Sequence, residues 1–449
     1  MLKVCTLLMM FVCTAIAADK PNVVIFFTDD QGTLDVNALG AKDLKTPHMD
    51  KLVNTGVSFT QGYAHTVCCP ARAMLMTGRY PQRGGVHHWT QGNMLDTRPR
   101  PNMALSEVTL AEALKGAGYK TGLFGKWHLG AHRDHGPMKQ GFDEFIGLRG
   151  GFIDNYNHHF LHGRGFYDFY EGTEPVKAPG KYFPDLITAR ALKFIDQYKD
   201  EPFFAYVAFN IPHYPEQCDP KYDDSYKELE EPRRSYAKMI STTDDHVGRV
   251  LAKLEEHKLR EKTIIVFMSD NGHSTEQIQI RVDDHITGMK KGTNYGANGG
   301  GGFTGKWIGN KGTMLEGGLR VPSIISWPGK LPQGESRDQA MTAMDWMPTI
   351  LELAGIEKPD VKFDGASLVP MIKDKAVPSH YKEIHWQWGK KWAVREGDWK
   401  LLGEGDKALS MHSLADERPE EKNYLRNRPV IAKKLHQLHR DWAKEVAPK

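Results

Sequence analysis

Cysteine is scarce in this chain, with five residues in 449. Two of them, Cys5 and Cys13, fall in an N-terminal stretch with the marks of a targeting signal. It has a basic start at Lys3, a mostly apolar run from Leu7 to Ile16, and Ala15-Ile16-Ala17 as an A-x-A cleavage site. The expected cut after Ala17 leaves Cys68, Cys69 and Cys218, too few for a disulfide framework in an exported protein of this size. One of the three is therefore free for other work. A lipoprotein signal through Cys13 is the alternative, but Met10-Phe11-Val12 before it are bulkier than such a signal tolerates. Long apolar runs are missing too. The N-terminal one falls short of the roughly 20 residues a membrane span needs.

The chain also lacks an excess of either charge. Its 59 basic and 56 acidic residues give +3, which offers no reason to expect nucleic acid as a partner. An anionic ligand would have to be held by local groups. No internal repeat is visible. With 40% hydrophobic and 26% charged residues, the balance is that of a globular protein. The length asks for one large domain and a smaller one.

From about residue 20 to 370, short apolar runs alternate with helical patterns, the signature of an α/β domain with a large, mostly parallel sheet flanked by helices. Val23 to Phe27, Phe203 to Phe209, Ile264 to Met268 and Val321 to Trp327 read as buried strands. Helices are expected over Thr109 to Ala117, Asp345 to Ala354 and Ser235 to Glu256. In the last, Tyr236, Met239, Ile240, Val247, Val250, Leu251 and Leu254 recur at helical spacing. Glycine concentrates between Gly288 and Gly309, which suggests a long, mobile loop placed to border a cleft. Past about residue 375 the pattern changes to antiparallel strands over Glu383 to Trp388 and Trp392 to Leu402, then a basic amphipathic helix over Pro429 to Lys444. The expected division is a signal at 1–17, a large α/β domain at 18–374 and a small α+β subdomain at 375–449.

The unusual residues fall at strand ends, where sheets of this kind bind ligands. The first strand runs into Thr28-Asp29-Asp30 and a later one into Ser269-Asp270-Asn271-Gly272. Singly, each reads equally well as a polar turn. Together, Asp29, Asp30, Asp270 and Asn271 form an all-oxygen set suited to a hard divalent cation rather than to zinc. Cys68-Cys69-Pro70-Ala71-Arg72 comes next, with Pro70 suited to the first turn of a helix. Cys68 would then sit at the positive helix end, with Arg72 one turn on to fork onto an oxyanion. A Cys69–Cys218 disulfide or two buried thiols are the plainer readings. Further cationic stretches are Gly125-Lys126-Trp127-His128-Leu129-Gly130, Asn210-Ile211-Pro212-His213-Tyr214-Pro215 and Asn310-Lys311-Gly312 through Arg320-Val321-Pro322. Each alone reads as solvated loop.

In combination these segments resemble the type I sulfatase family of the alkaline-phosphatase-like superfamily, from about Pro21 to Ile372. The most specific piece is C-x-P-[SA]-R-x-x-x-x-T-G-R, matched by Cys68, Pro70, Ala71, Arg72, Thr77, Gly78 and Arg79. Ala71 stands where serine is commoner. The resemblance implies the superfamily's fold with a smaller C-terminal antiparallel sheet plus helix, and hydrolysis of sulfate monoesters. It implies a formylglycine (3-oxoalanine) made from Cys68 by a maturation enzyme, and a Ca2+ ion held by Asp29, Asp30, Asp270 and Asn271 together with residue 68. Arg72, Lys126, His128, His213 and Lys311 resemble the residues around the sulfate. Ser410 to Asp416 departs from the family's tyrosine-containing pattern, which leaves the edge of the small sheet open.

For the substrate, the polar and aromatic run Gly150 to His159 and the loop with His273, Arg281, Asp284, His285, Lys290 and Lys291 suit a polyhydroxylated sugar better than a steroid. Asp154, Asn155, His158, Arg281 and His285 are the candidate contacts, with solvated surface as the plainer reading. The expected substrate is a sulfated carbohydrate, and the expected location secreted or periplasmic. A phosphonate or phosphate ester hydrolase of the same superfamily is the competing enzyme reading. A non-catalytic binder of sulfated glycans is the competing reading of another class.

Overall fold

The computed structural model describes residues 20–92 and 101–447. The targeting segment, with Cys5, Cys13 and the cleavage site after Ala17, lies outside the described residues.

A ten-stranded mixed sheet organises the large domain. Its strands are β1 (Asn22–Asp29), β2 (Val57–Tyr63), β3 (Lys120–Lys126), β4 (Glu144–Leu148), β5 (Tyr170–Glu171), β6 (Glu174–Pro175), β7 (Phe203–Pro212), β8 (Thr263–Ser269), β9 (Ser323–Ser326) and β10 (Glu335–Thr342). They lie in the order β10-β2-β9-β8-β1-β7-β3-β4-β5-β6. The central pairs β8–β1, β1–β7, β7–β3 and β3–β4 are parallel. The central strands β1, β7 and β8 are buried along their whole length, which is why they read as unbroken apolar runs rather than alternating ones. The expected strand at Val321 to Trp327 is the shorter β9, antiparallel to both β2 and β8. Two parallel strands, β2 and β10, escaped the sequence reading. The outer strand β10 (ESRDQAMT) is half exposed and carries no apolar run.

Helices cover both faces. Arg233–Glu256 buries the seven apolar residues that mark its stripe. Leu110–Gly116 starts at a reciprocal cap: the Glu112 amide donates to Thr109 Oγ1 (3.1 Å) and the Thr109 amide to Glu112 Oε2 (2.7 Å). Trp346–Leu353 follows a second such cap between Thr342 and Asp345. The glycine-rich segment is not loose. The Phe303 amide donates to Asp35 (2.9 Å), Arg233 to the Gly301 carbonyl (2.6 Å) and Asn298 to Glu216 (2.6 Å). Asp35, Arg233 and Glu216, all from outside the segment, pin a stretch that its composition marks as mobile.

The C-terminal part forms a four-stranded antiparallel sheet in sequence order: β11 (Glu383–Trp388), β12 (Lys391–Glu396), β13 (Trp399–Glu404) and β14 (Lys407–Ser413). The edge left open by the Ser410 to Asp416 stretch is thus closed by β14. Helix Pro429–Glu445 lays Ala432 and Leu435 on Trp392, Val394, Leu401 and Met411. The sheet meets the large domain where Trp386 packs on Tyr63 (5.2 Å) and donates its indole N–H to the Ala64 carbonyl (3.0 Å). Beneath lies a buried ionic cluster, with Lys400 bridging Glu316 (2.7 Å) and Glu420 (2.9 Å) and Arg320 paired to Glu316.

Candidate active site

β1 and β8 are parallel neighbours with Thr28 opposite Ser269, so their carboxyl ends deliver Asp29-Asp30 and Asp270-Asn271 to one place. The Asp30 amide donates to Asp270 Oδ1 (3.2 Å), and Asn271 Nδ2 donates to Asp30 Oδ1 (2.7 Å). Gly272 closes the tip because a Cβ there would lie 1.8 Å from the Gly317 carbonyl oxygen. Helix Cys68–Thr77 begins at the expected residue and brings the thiol to 3.5 Å from Asp29 Oδ1. Ligating atoms of Asp29, Asp30, Cys68 and Asp270 all lie within 4.8 Å of one another, and all four residues are buried.

Cations close the other side. Arg72 pairs with Asp270 (2.7 Å), Lys126 with Asp29 (2.6 Å) and Lys311 with Asp30 (2.9 Å). Lys126 ends β3, two strands from β1, and His213 follows β7; its Nε2 is 3.7 Å from Asp30. The Nδ1 hydrogen of His213 donates to the Tyr214 carbonyl (2.6 Å). His128 is buried, and neither ring nitrogen has a hydrogen-bond partner among the described residues, a costly state for a structural histidine. Asp30 and His128 also hold left-handed backbone (φ 64° and 54°), a strain that collects at functional sites.

The charge state of the cluster points to a cation. Burial, with Asp29 and Asp270 alongside, pushes Asp30 up to about 7 despite Lys311. Burial and Asp29 push Asp270 up to about 6 despite Arg72. Removing like-charge repulsion among three buried carboxylates is what a divalent cation does. Asn271 Oδ1 is buried without a donor and completes a hard oxygen set, so the residues fit calcium. The Cys68 thiol is pushed well up by burial and then by Asp29. That is the reverse of an activated thiolate, which needs an electropositive setting. Cys68, Cys69 and Cys218 are all free, so the Cys69–Cys218 disulfide is not formed.

The cluster opens into a cleft of about 470 Å³ lined by Cys68, Lys126, His128, His213 and Lys311. Trp89, Phe152, Phe160 and Tyr214 form its apolar walls, and Gln91, His162, Ser274, Thr275 and Glu276 its polar ones. Burial, then the nearby Lys126 and Lys311 charges, holds His128 and His213 well below the usual histidine range, hence neutral. Glu276 is ionised: burial opposes this, but the Lys311 charge outweighs it and the carboxyl lies at about 2.

The five candidate sugar contacts do not line this cleft. Asp154 accepts from the Tyr156 and Asn157 amides and from Gln217 Nε2. Asn155 accepts from Asn210 Nδ2 (2.7 Å). His158 is buried against the Lys181 carbonyl (3.0 Å) and His285 against Thr287 (2.8 Å), while Arg281 is exposed. The bonds of Asp154, Asn155, His158 and His285 hold their loops to one another and to β7. Glu276, Trp89 and Gln91 were missed because loop residues have no period, although Glu276 lies only five residues beyond Asn271.

Comparisons with known proteins point to one family. The sulfatase family model matches residues 21–356, and a model described as N-sulphoglucosamine sulphohydrolase, C-terminal, matches 305–446. N-acetylgalactosamine-6-sulfatase of Sus scrofa is 30% identical over 440 residues, covering 88% of this chain and 78% of that one. Arylsulfatase A of Homo sapiens is 31% identical over 382 residues, covering 79% and 68%. The crystal structure of Ps i-CgsB in complex with k-i-k-neocarrahexaose superposes with a TM-score of 0.80 at 27% identity, covering 94% of this chain and 93% of that one. With its strand-tip carboxylates, buried Cys68 and ring of cations in that frame, the chain belongs to the sulfatase family and is a sulfuric ester hydrolase.

Proposed function

We propose that the protein is an exported, calcium-dependent sulfatase that removes sulfate from a carbohydrate through a formylglycine made from Cys68 by a maturation enzyme. The observation that carries this reading is the setting of Cys68: at a helix N-terminus, 3.5 Å from Asp29 Oδ1, grouped with the strand-tip carboxylates and lining the cleft beside Lys126, His128, His213 and Lys311.

Asp29, Asp30, Asp270 and Asn271 would hold the cation through oxygen. Calcium and the hydrated aldehyde supply, when present, positive charge for the sulfate oxygens and a hydroxyl nucleophile whose carbon carries a second hydroxyl. The remaining chemistry belongs to the chain. Arg72, Lys126 and Lys311 are fixed by their carboxylates before substrate arrives, so they meet developing negative charge without reorganising. His213 has its Nδ1 hydrogen committed to Tyr214, which leaves Nε2 to gain a proton as the anionic ester binds and to pass it to the departing alcohol. Lys311 stands beside it as the charged neighbour; such acid assistance is worth roughly a hundredfold or more. His128, neutral and unpartnered, is the base that takes a proton as sulfate is released.

A carbohydrate suits the cleft because apolar walls alternate with groups that donate and accept hydrogen bonds. The names of the pig relative and of the carrahexaose complex support the same class. No helix of the described residues is long and apolar enough to cross a membrane. The test is a mass spectrum of the peptide containing residue 68, from protein matured in an exporting host. An aldehyde in place of the thiol is expected; an intact thiol in fully active enzyme overturns the reading.

A further inference from the structure

Glu276 has no place in the chemistry above, yet it puts a negative charge in a cleft built to receive an anion. Its Oε2 is occupied, accepting from Lys311 (3.3 Å) and from Ser274 Oγ (3.1 Å). Its Oε1 has no partner among the described residues, and the side chain remains 40% exposed toward the cleft it lines. Bracing Lys311 does not account for it, because Asp30 already holds that ammonium more closely, at 2.9 Å. A carboxylate one cation away from the sulfate weakens binding of every sulfate ester by like-charge repulsion. Only a ligand that donates a hydrogen bond to the free oxygen offsets that cost. Lys311 contacts both Asp30 and Glu276, so Glu276 lies one cation away from the strand-tip cluster and lines the same cleft.

We propose that Glu276 determines specificity: its free oxygen accepts a hydrogen bond from a substrate hydroxyl neighbouring the sulfated carbon, and it excludes substrates with a second sulfate or a carboxylate there. This inference rests on the carbohydrate reading and narrows it to sugars with an unsubstituted hydroxyl next to the sulfate. A hydrogen bond to a charged acceptor is worth more than a neutral one, and a site built for a hydroxyl discriminates strongly against its absence.

The experiment measures calorimetric affinities of calcium-loaded Cys68→Ala protein, with and without Glu276→Ala. The probes are methyl hexopyranosides sulfated at a single position, and the same sugars with the neighbouring hydroxyl replaced by hydrogen. For the best-bound isomer, losing the hydroxyl is expected to weaken binding at least ~10-fold with Glu276 present and less than ~3-fold without it. A disulfated sugar is expected to gain affinity in the Glu276→Ala protein. If the hydroxyl matters equally in both proteins, Glu276 is only a brace and the proposal falls. Glu276→Gln, which keeps an acceptor oxygen but no charge, is expected to retain part of the hydroxyl preference; a complete loss there as well counts against the hydrogen bond. If no sugar sulfate binds, the carbohydrate reading falls with the proposal. Turnover of 4-nitrophenyl sulfate by unsubstituted enzyme reports the sulfatase chemistry separately.

Discussion

The ionic cluster at the seam between the sheets and the one at the strand tips are both buried, and they are built differently. At the seam between the sheets, Glu316 and Glu420 face Lys400, Arg320 and Arg395. Burial works against Glu316, but Lys400, Arg320 and Arg395 outweigh it and hold its carboxyl far below the usual range. At the strand tips, Asp30 and Asp270 are pushed up to about 7 and 6 even with Arg72, Lys126 and Lys311 against them. Burial and then Glu316 push Glu420 up despite Lys400, yet the two seam carboxylates face three cations. At the tips three carboxylates share one spot with a single cation each. The seam has cations to spare and holds two sheets together, while the tips keep a mutual repulsion that a bound cation would relieve.

The sharpest way to break the comparison is at Cys68. Cys68→Ala is expected to lower kcat on an aryl sulfate by at least ~1000-fold and to leave the thermal midpoint within a few degrees, as scanning calorimetry would show. A comparable loss of stability would make the tips a structural cluster like the seam. Next is Lys400→Met, which strands two buried carboxylates and is expected to cost about 3–5 kcal/mol. Its signature is a lower melting temperature with kcat retained in the folded fraction, and an unshifted melt would remove the seam's structural role.

Calcium comes third. The ion is expected to stabilise the fold by about 3 kcal/mol at a hundred times its Kd. Without it, Asp30 and Asp270 titrate higher in the folded chain than the value of roughly 3.9 for an unfolded aspartate. Between about pH 4 and 7 the folded state therefore holds more protons, so the stability of metal-free protein falls as pH rises. Melting curves at pH 5 and 8, with chelator and with calcium, should show that slope in chelator and a flatter one with the ion. The smallest effect belongs to an exposed pair: Arg164 meets Asp284 at 2.6 Å with side chains 79% and 59% exposed. Arg164→Ala is expected to change stability by less than ~0.5 kcal/mol in a urea titration.

Much of the site was legible because its residues end apolar runs or sit at fixed offsets. Asp29-Asp30 and Asp270-Asn271 follow buried strands, and Cys68, Pro70 and Arg72 occupy the first turns of one helix. The glycine-rich segment misled because composition reports freedom and says nothing of Asp35 and Arg233, which hold it. Asp154, Asn155 and His158 misled for a related reason. A polar loop residue looks the same whether it caps its own turn or faces a ligand, and here these three bond to their own loop, to Gln217 and Asn210, and to the Lys181 carbonyl.

By itself the sequence determined which segments become buried strands and which carboxylates, cations and cysteine stand at their ends, since burial and helical or strand period are local properties of the chain. Only the tertiary structure decided that β1 and β8 lie side by side with Thr28 opposite Ser269, bringing together carboxylates some 240 residues apart. It also decided that Glu276 lines the cleft while Asp154 does not. Strand pairing and loop direction follow from long-range packing, in which each segment's partner is set by the rest of the fold.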